Sequence, residues 1–148
     1  MFCGNFGYAM DNRGELVVPV RFRRGKKSKR RLVVGAWPEG CLFLFSKKEW
    51  KKVKRTRLYP LEATNREEIR IMFSHTVEIE MNEKGEIKIP TSLRSQAGLK
   101  NEVAVVGCGR YMEIWDKKGW EAECERLTVA MEALYEEVVK IPLNITSN

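Results

Sequence analysis

Residues 11–23, Asp-Asn-Arg-Gly-Glu-Leu-Val-Val-Pro-Val-Arg-Phe-Arg, return in altered form at 82–94 as Asn-Glu-Lys-Gly-Glu-Ile-Lys-Ile-Pro-Thr-Ser-Leu-Arg. Gly14 matches Gly85, Glu15 matches Glu86, Pro19 matches Pro90 and Arg23 matches Arg94. Leu16 and Val18 answer Ile87 and Ile89, so the alternation of a strand recurs together with its punctuation. Further on, Leu32-Val33-Val34-Gly35 corresponds to Ala104-Val105-Val106-Gly107, and Leu44, Phe45 and Trp50 correspond to Ile114, Trp115 and Trp120 within a small shift. A chain of 148 residues that repeats itself is built from two copies of one small unit. At about 70 residues each, neither copy has much surface to bury alone, so a shared core is expected. The copies divide the chain at 1–70 and 71–148.

Local signals give an α+β protein that is mostly β. Asn5 to Met10 and Glu15 to Val18 read as strands flanking Asp-Asn-Arg-Gly, a turn in which Gly14 supplies a positive φ. Pro19 stops the second strand because it has no ladder N–H. Leu32 to Gly35 and Cys41 to Phe45 read as a hairpin joined through Trp-Pro-Glu-Gly. Ser46 to Glu49 and Thr64 to Glu67 are both capping-box patterns that would open helices, the second ending near Ser74. Thr91 to Ala97 is expected to be helical with Gly98 beyond its C-terminus. Gly107-Cys108-Gly109 reads as a turn between Val103–Val106 and Tyr111–Trp115. One last helix should run from Lys117, capped by Asp116, to about Lys140. Along it Trp120, Cys124, Leu127, Met131, Leu134 and Val138 form an apolar stripe, either intramolecular core or a face for pairing between subunits.

Charge is divided between the copies. Residues 1–70 carry 18 basic and 7 acidic side chains, a net of +11, whereas residues 71–148 carry 9 and 13, a net of −4. The densest run holds Arg21, Arg23, Arg24, Lys26, Lys27, Lys29, Arg30 and Arg31 without an acid between them. It is either a solvated basic loop or a surface for an anionic partner such as nucleic acid. A second run, Lys47 to Arg57, is expected on a helix. The N-terminus has no signal layout and no apolar stretch reaches membrane-spanning length, which points to a soluble cytoplasmic protein without a membrane partner. Cys3, Cys41, Cys108 and Cys124 are scattered and read as reduced, mostly buried side chains. His75, the one histidine, reads as a packing or helix-end residue. With no nucleophile–base pair, phosphate loop or metal-ligand cluster, no enzyme, cofactor, metal or small-molecule substrate is expected.

Taken in order, Met1-Phe2, Gly4, Asp11…Gly14…Pro19…Arg23, Gly40-Cys41-Leu42-Phe43-Leu44, Glu49-Trp50, Arg66…Arg70…Phe73-Ser74, Leu93-Arg94…Ala97-Gly98-Leu99, Val105-Val106-Gly107, Glu113-Ile114-Trp115-Asp116 and Trp120 resemble the MraZ family along essentially the whole chain. The resemblance implies tandem AbrB-like repeats with swapped hairpins, forming a pseudo-dimeric barrel with flanking helices. It implies a ring-shaped homo-oligomer bound to short direct repeats in its own promoter. It also implies a nucleoid-associated transcriptional regulator of the division and cell-wall gene cluster. The family loop is Asp-x-x-Gly-Arg, but this chain has Glu15 and Glu86 at the two Arg positions and Asn82 in place of the second Asp. A carboxylate there opposes phosphate. The expected DNA contacts are therefore Arg13, the nearest cation on the turn, as base reader, with Arg21, Arg23, Arg24, Lys26 and Lys27 positioning phosphate. Arg23 has a second reading as a structural residue, because its counterpart Arg94 lies in the acidic half. A ring-forming scaffold with weak or altered DNA binding is the alternative function.

Overall fold

A computed structural model of the chain describes residues 2–20, 23 and 30–140. The described residues form two compact units, one reaching Lys117 and one starting at Lys118. The first unit contains eight strands among the described residues: β1 (Asn5–Ala9), β2 (Glu15–Val17), β3 (Arg30–Ala36), β4 (Leu42–Ser46), β5 (Val77–Met81), β6 (Glu86–Lys88), β7 (Glu102–Gly107) and β8 (Met112–Asp116). Helices α1 (Lys47–Val53), α2 (Arg66–Ser74) and α3 (Thr91–Gln96) lie between them, and a π-helical turn, Lys54–Leu58, extends α1. Helices α4 (Lys117–Arg126) and α5 (Thr128–Lys140) follow.

Six strands form an antiparallel sheet in the order β1-β7-β8-β4-β3-β5, and β2 pairs with β6 in a separate two-stranded ladder. The order reads the same from both ends when β1, β3 and β4 are exchanged for β5, β7 and β8. Each half sends its first strand to the other half: β1 hydrogen-bonds to β7, and β5 to β3. Leu16 lies opposite Ile87 in the small ladder, and both are fully buried. One core consequently draws on both halves. It contains Met10, Leu16, Val18, Leu32, Val34, Leu42 and Leu44 from the first, and Met81, Ile87, Ile89, Leu93, Val103, Val105 and Ile114 from the second.

The strand pairings do not close into the expected barrel. β1 and β5 end the sheet, and β2 and β6 pair only with each other. Both short strands run into Pro19 and Pro90, which have no amide to donate. The turns that precede them join β1 to β2 and β5 to β6 through one backbone bond each, Asp11 N to Glu15 O and Asn82 N to Glu86 O.

The central strand β4 explains its own unbroken apolar run. Successive side chains point to opposite faces, so Leu42 and Leu44 enter the shared core while Phe43 and Phe45 enter an aromatic cluster on the other side. There Phe43 stacks on Trp50 of α1 with ring centroids 5.3 Å apart, and Trp37 lies 4.6 Å from Phe43 on the same measure. Ser46 caps α1 by accepting from the Glu49 amide at 3.1 Å, as its sequence pattern indicates. The Thr64 pattern does not cap α2. Its hydroxyl lies against Leu61 O and Asn65 Oδ1, and Asn65 takes the N-cap position.

The C-terminal segment is two helices rather than one. The Thr128 hydroxyl donates back to Cys124 O at 3.2 Å, a bond that bends helices, and the interruption falls between them at Leu127. Neither α4 nor α5 contains a buried residue, so the apolar stripe is not core. Of the cysteines only Cys41, next to β4, is buried; Cys108 is half-buried, and Cys3, before β1, and Cys124, on α4, are exposed. His75 is the C-cap of α2.

Gly35 lies opposite Phe43 across the β3–β4 pair. A Cβ there would overlap the edge of a ring already enclosed by Trp37 and Trp50. Gly35→Ala is expected to lower the free energy of unfolding in urea by about 1–3 kcal/mol through overpacking.

Candidate nucleic-acid interface

The two turns of the repeated segment are built alike. In the first, Asp11 Oδ1 accepts from the amides of Arg13 at 2.9 Å and Glu15 at 2.8 Å, and Gly14 N donates to Asp11 O at 3.0 Å. In the second, Asn82 Oδ1 accepts from Lys84 at 3.0 Å and Glu86 at 2.8 Å, and Gly85 N donates to Asn82 O at 3.0 Å. Short polar side chains that reach their own backbone two residues on favour such turns. One oxygen suffices, so an amide serves as well as a carboxylate. Gly14 and Gly85 both have φ of +80°, where an L side chain would be strained. The amide hydrogen bond from Glu15 holds the Asp11 carboxyl below the usual carboxylate range, assisted by the amide and charge of Arg13, while burial works the other way.

Each glycine is also covered by an arginine from the opposite half. A Cβ on Gly14 would come within 2.6 Å of Arg94 Nε, and one on Gly85 within 2.5 Å of Arg23 Cδ. Arg94 donates from Nη1 to Asn12 O at 3.2 Å, from Nε to Ile89 O at 3.0 Å and from Nη2 to Thr91 Oγ1 at 2.9 Å. Arg23 donates from Nη1 to Lys84 O at 3.0 Å, and its buried Nε has no acceptor among the described residues. Backbone bonds complete the exchange: Ile89 N to Gly14 O at 2.9 Å and Val18 N to Gly85 O at 2.8 Å.

Arg13 lies exposed on the first turn, where its charge acts on the Asp11 carboxylate. Arg23 reaches the other turn, at the far end of the three-residue β2–β6 ladder, roughly 10 Å away at strand spacing. The structure therefore does not bring Arg13 and Arg23 together. Arg21, Arg24, Lys26 and Lys27 lie outside the described residues. Between the turns, Glu15, Val17, Glu86 and Lys88 share the outward face of the ladder, with Glu15 opposite Lys88 and Val17 opposite Glu86. Glu15 and Glu86, at the positions of the family arginines, line one cavity of about 250 Å³ together with Glu80, Asn82 and Lys88.

Two residues escaped the reading of the sequence. Lys84 occupies the position of Arg13 in the second turn, which the repeat spacing indicates. Arg94 contacts the turn that presents Arg13, although nothing in the sequence says which turn an arginine after Pro90 will reach. The second basic run forms a separate surface. Lys47, Lys51, Lys54 and Arg55 edge a cavity of about 640 Å³ floored by Trp50, Phe73 and Val77. Lys47 pairs with Glu78 at 3.0 Å and Arg31 with the same carboxylate at 3.7 Å, which holds the Glu78 carboxyl low, chiefly through the Lys47 hydrogen bond.

Burial pushes the Cys108 thiol and the Tyr111 hydroxyl up to about 12, with the Glu113 charge adding to both. Burial also raises the Cys41 thiol. At neutral pH all three are uncharged. Among the described residues no three His, Cys, Asp or Glu side chains gather where they could hold a metal ion. No helix among them is long and apolar enough to cross a membrane.

These elements define an α+β protein with a large antiparallel sheet and two matched, solvent-facing turns. The chain matches the model of the MraZ protein family, described as antitoxin-like, over residues 1–69 and 72–137. Proteins named transcriptional regulator MraZ are similar along nearly all of it. That of Desulforamulus reducens is 35% identical, with 95% of this chain and 99% of the relative covered. That of Carboxydothermus hydrogenoformans is 33% identical over 94% and 97%, and that of Alkaliphilus metalliredigens 39% identical over 81% and 84%. The chain belongs to the MraZ family.

Because the folded carboxyl of Asp11 titrates below its ordinary value of 3.8, its contribution to stability is present above that value and is lost as pH falls through the folded one. Asp11→Asn should keep the turn, as Asn82 does in the second copy. It should flatten the decline of the urea midpoint below about pH 4 while leaving the neutral-pH midpoint close to wild type.

Proposed function

We propose that this protein is a sequence-specific DNA-binding transcriptional regulator. It acts as a ring-shaped homo-oligomer on short direct repeats in its own promoter, at the head of the division and cell-wall gene cluster. The observation that carries this reading is the placement of charge: an excess of +11 falls in residues 1–70, the half whose exposed turn presents Arg13. Membership of a family whose relatives are named transcriptional regulators agrees with it. In this reading 1–70 and 71–148 are two AbrB-like repeats with swapped hairpins, consistent with the exchange of β1 and β5 between halves. Lattices of direct repeats about one helical turn apart would present the same groove face to successive subunits. The protein works in the cytoplasm, on the nucleoid.

Arg13 reads base edges in this scheme, and Arg21, Arg24, Lys26 and Lys27 neutralise phosphate. Arg23 serves the second turn rather than DNA, as its hydrogen bond to Lys84 O supports. Self-assembly draws on α5, where Leu134, Tyr135 and Val138 lie on one side of the helix and are all more than half exposed. Such a face on a soluble helix suits pairing with another copy. The acidic outward face at Glu15 and Glu86 favours one second reading, a ring-forming scaffold that binds other proteins and holds DNA weakly.

A mobility shift against the duplex immediately upstream of the gene, at low and moderate salt, separates the two; absence of binding at low salt selects the scaffold. Arg13→Ala should erode the preference for operator over scrambled duplex by about tenfold or more, the 1–3 kcal/mol worth of a base contact. Replacing Lys26 and Lys27 together should weaken both duplexes alike and flatten the salt slope by about two. Leu134→Glu with Val138→Glu should lower the assembly mass measured by light scattering.

A further inference from the structure

We infer that Arg94, a residue of the acidic half, is the positioning residue for the DNA-reading turn of the basic half; this rests on the assignment of Arg13 as base reader. Three features place it there. Its Nη1 donates to the carbonyl of Asn12, the residue before Arg13. Its side chain lies so close over Gly14 that no Cβ could be admitted between them. Its remaining donors are anchored on Ile89 O and Thr91 Oγ1, at Pro90 and the start of α3, so the guanidinium is fixed before it meets the turn.

The turn is consequently held from two sides. Asp11 gathers the amides of Arg13 and Glu15 from inside. Arg94 fixes the outer carbonyl, together with the Ile89 N to Gly14 O bond. With both peptide units around Arg13 constrained, by Asp11 of its own half and by Arg94 of the other, the direction in which its side chain leaves the backbone depends on both halves of the protein. A planar guanidinium spreads its donors over three nitrogens in a fixed fork and so reaches three separated acceptors, a geometry that the single nitrogen of an ammonium does not reproduce. Arg23 meets the second turn one carbonyl further on, at Lys84, the counterpart of Arg13 rather than of Asn12. Among the described residues its Nε has no acceptor. The arginine that meets three acceptors among the described residues, Arg94, is the one on the turn that carries Arg13.

Arg94→Gln tests the assignment, with Arg94→Lys as a milder change that keeps the charge and the aliphatic cover over Gly14, and Arg23→Gln as the control on the other turn. Amide hydrogen exchange, read by NMR on the full chain, should quicken by about an order of magnitude or more at Gly14 and Glu15 in Arg94→Gln. In Arg23→Gln it should quicken at Gly85 and Glu86 instead. On the operator and scrambled duplexes, Arg94→Gln should lose discrimination in the direction of Arg13→Ala with the salt slope unchanged. The double variant Arg13→Ala with Arg94→Gln should lose no more than Arg13→Ala alone, because the two act through one contact. Unchanged exchange at Gly14 and Glu15 overturns the positioning role whatever the DNA result. Faster exchange with full discrimination, in a protein where Arg13→Ala does lose it, overturns the link to recognition. If Arg13→Ala is itself neutral, the base-reader assignment fails, and with it Arg94's part in recognition.

Discussion

The pairing of each half's first strand with the other half is the constraint on which the rest of the molecule depends. β1 completes a sheet on β7, β5 completes one on β3, and Leu16 meets Ile87 in the small ladder between them. Remove either half and the other loses an edge strand and much of the cover over its core. Apolar burial, at roughly 25 cal/mol per Å², comes chiefly from the core that both halves contribute to. Nearly every other feature of the first unit is arranged around it, including the two-sided burial of β4 and the aromatic cluster behind Phe43.

The same exchange brings opposing turns under opposing arginines. Arg23 and Arg94 each leave their own half and end on the glycine turn of the other. The turns are alike in backbone and unlike in charge. Arg13 stands on one and Lys84 on the other, with Glu15 and Glu86 on the ladder face between them. A relative with arginine at 15 and 86 would present a continuous cationic face there. In this chain Glu15 and Glu86 stand on that face instead, and Arg13 and Lys84 on the turns at its two ends.

Much of this was legible beforehand. The turn at 11–14, the arrest at Pro19, the Ser46 cap and the strands of both halves follow from local rules: an Asx side chain reaching two amides, a glycine at positive φ, a proline without a donor. Arg13 was legible as a candidate because it is a cation on a tight exposed turn. Other features depended on partners distant in sequence. Thr64 carries a capping pattern yet bonds Leu61 and Asn65, since a pattern does not say which oxygen competes for the hydroxyl. The stripe on the last helix has helical spacing whether or not anything covers it.

By itself the sequence determined that residues 11–23 recur in altered form at 82–94, that the apolar positions in both alternate as in strands, and that positive charge gathers in residues 1–70. These are properties of order and spacing along one chain. Only the tertiary structure decided that the strands exchange without closing into a barrel, that α4 and α5 hold no buried residue, and that Arg94 rather than Arg23 meets the turn bearing Arg13. The reason is geometric. A hydrogen bond or a packed glycine requires two groups to meet within a few ångströms, and residues 12 and 94 are brought to that distance only when β2 and β6 pair.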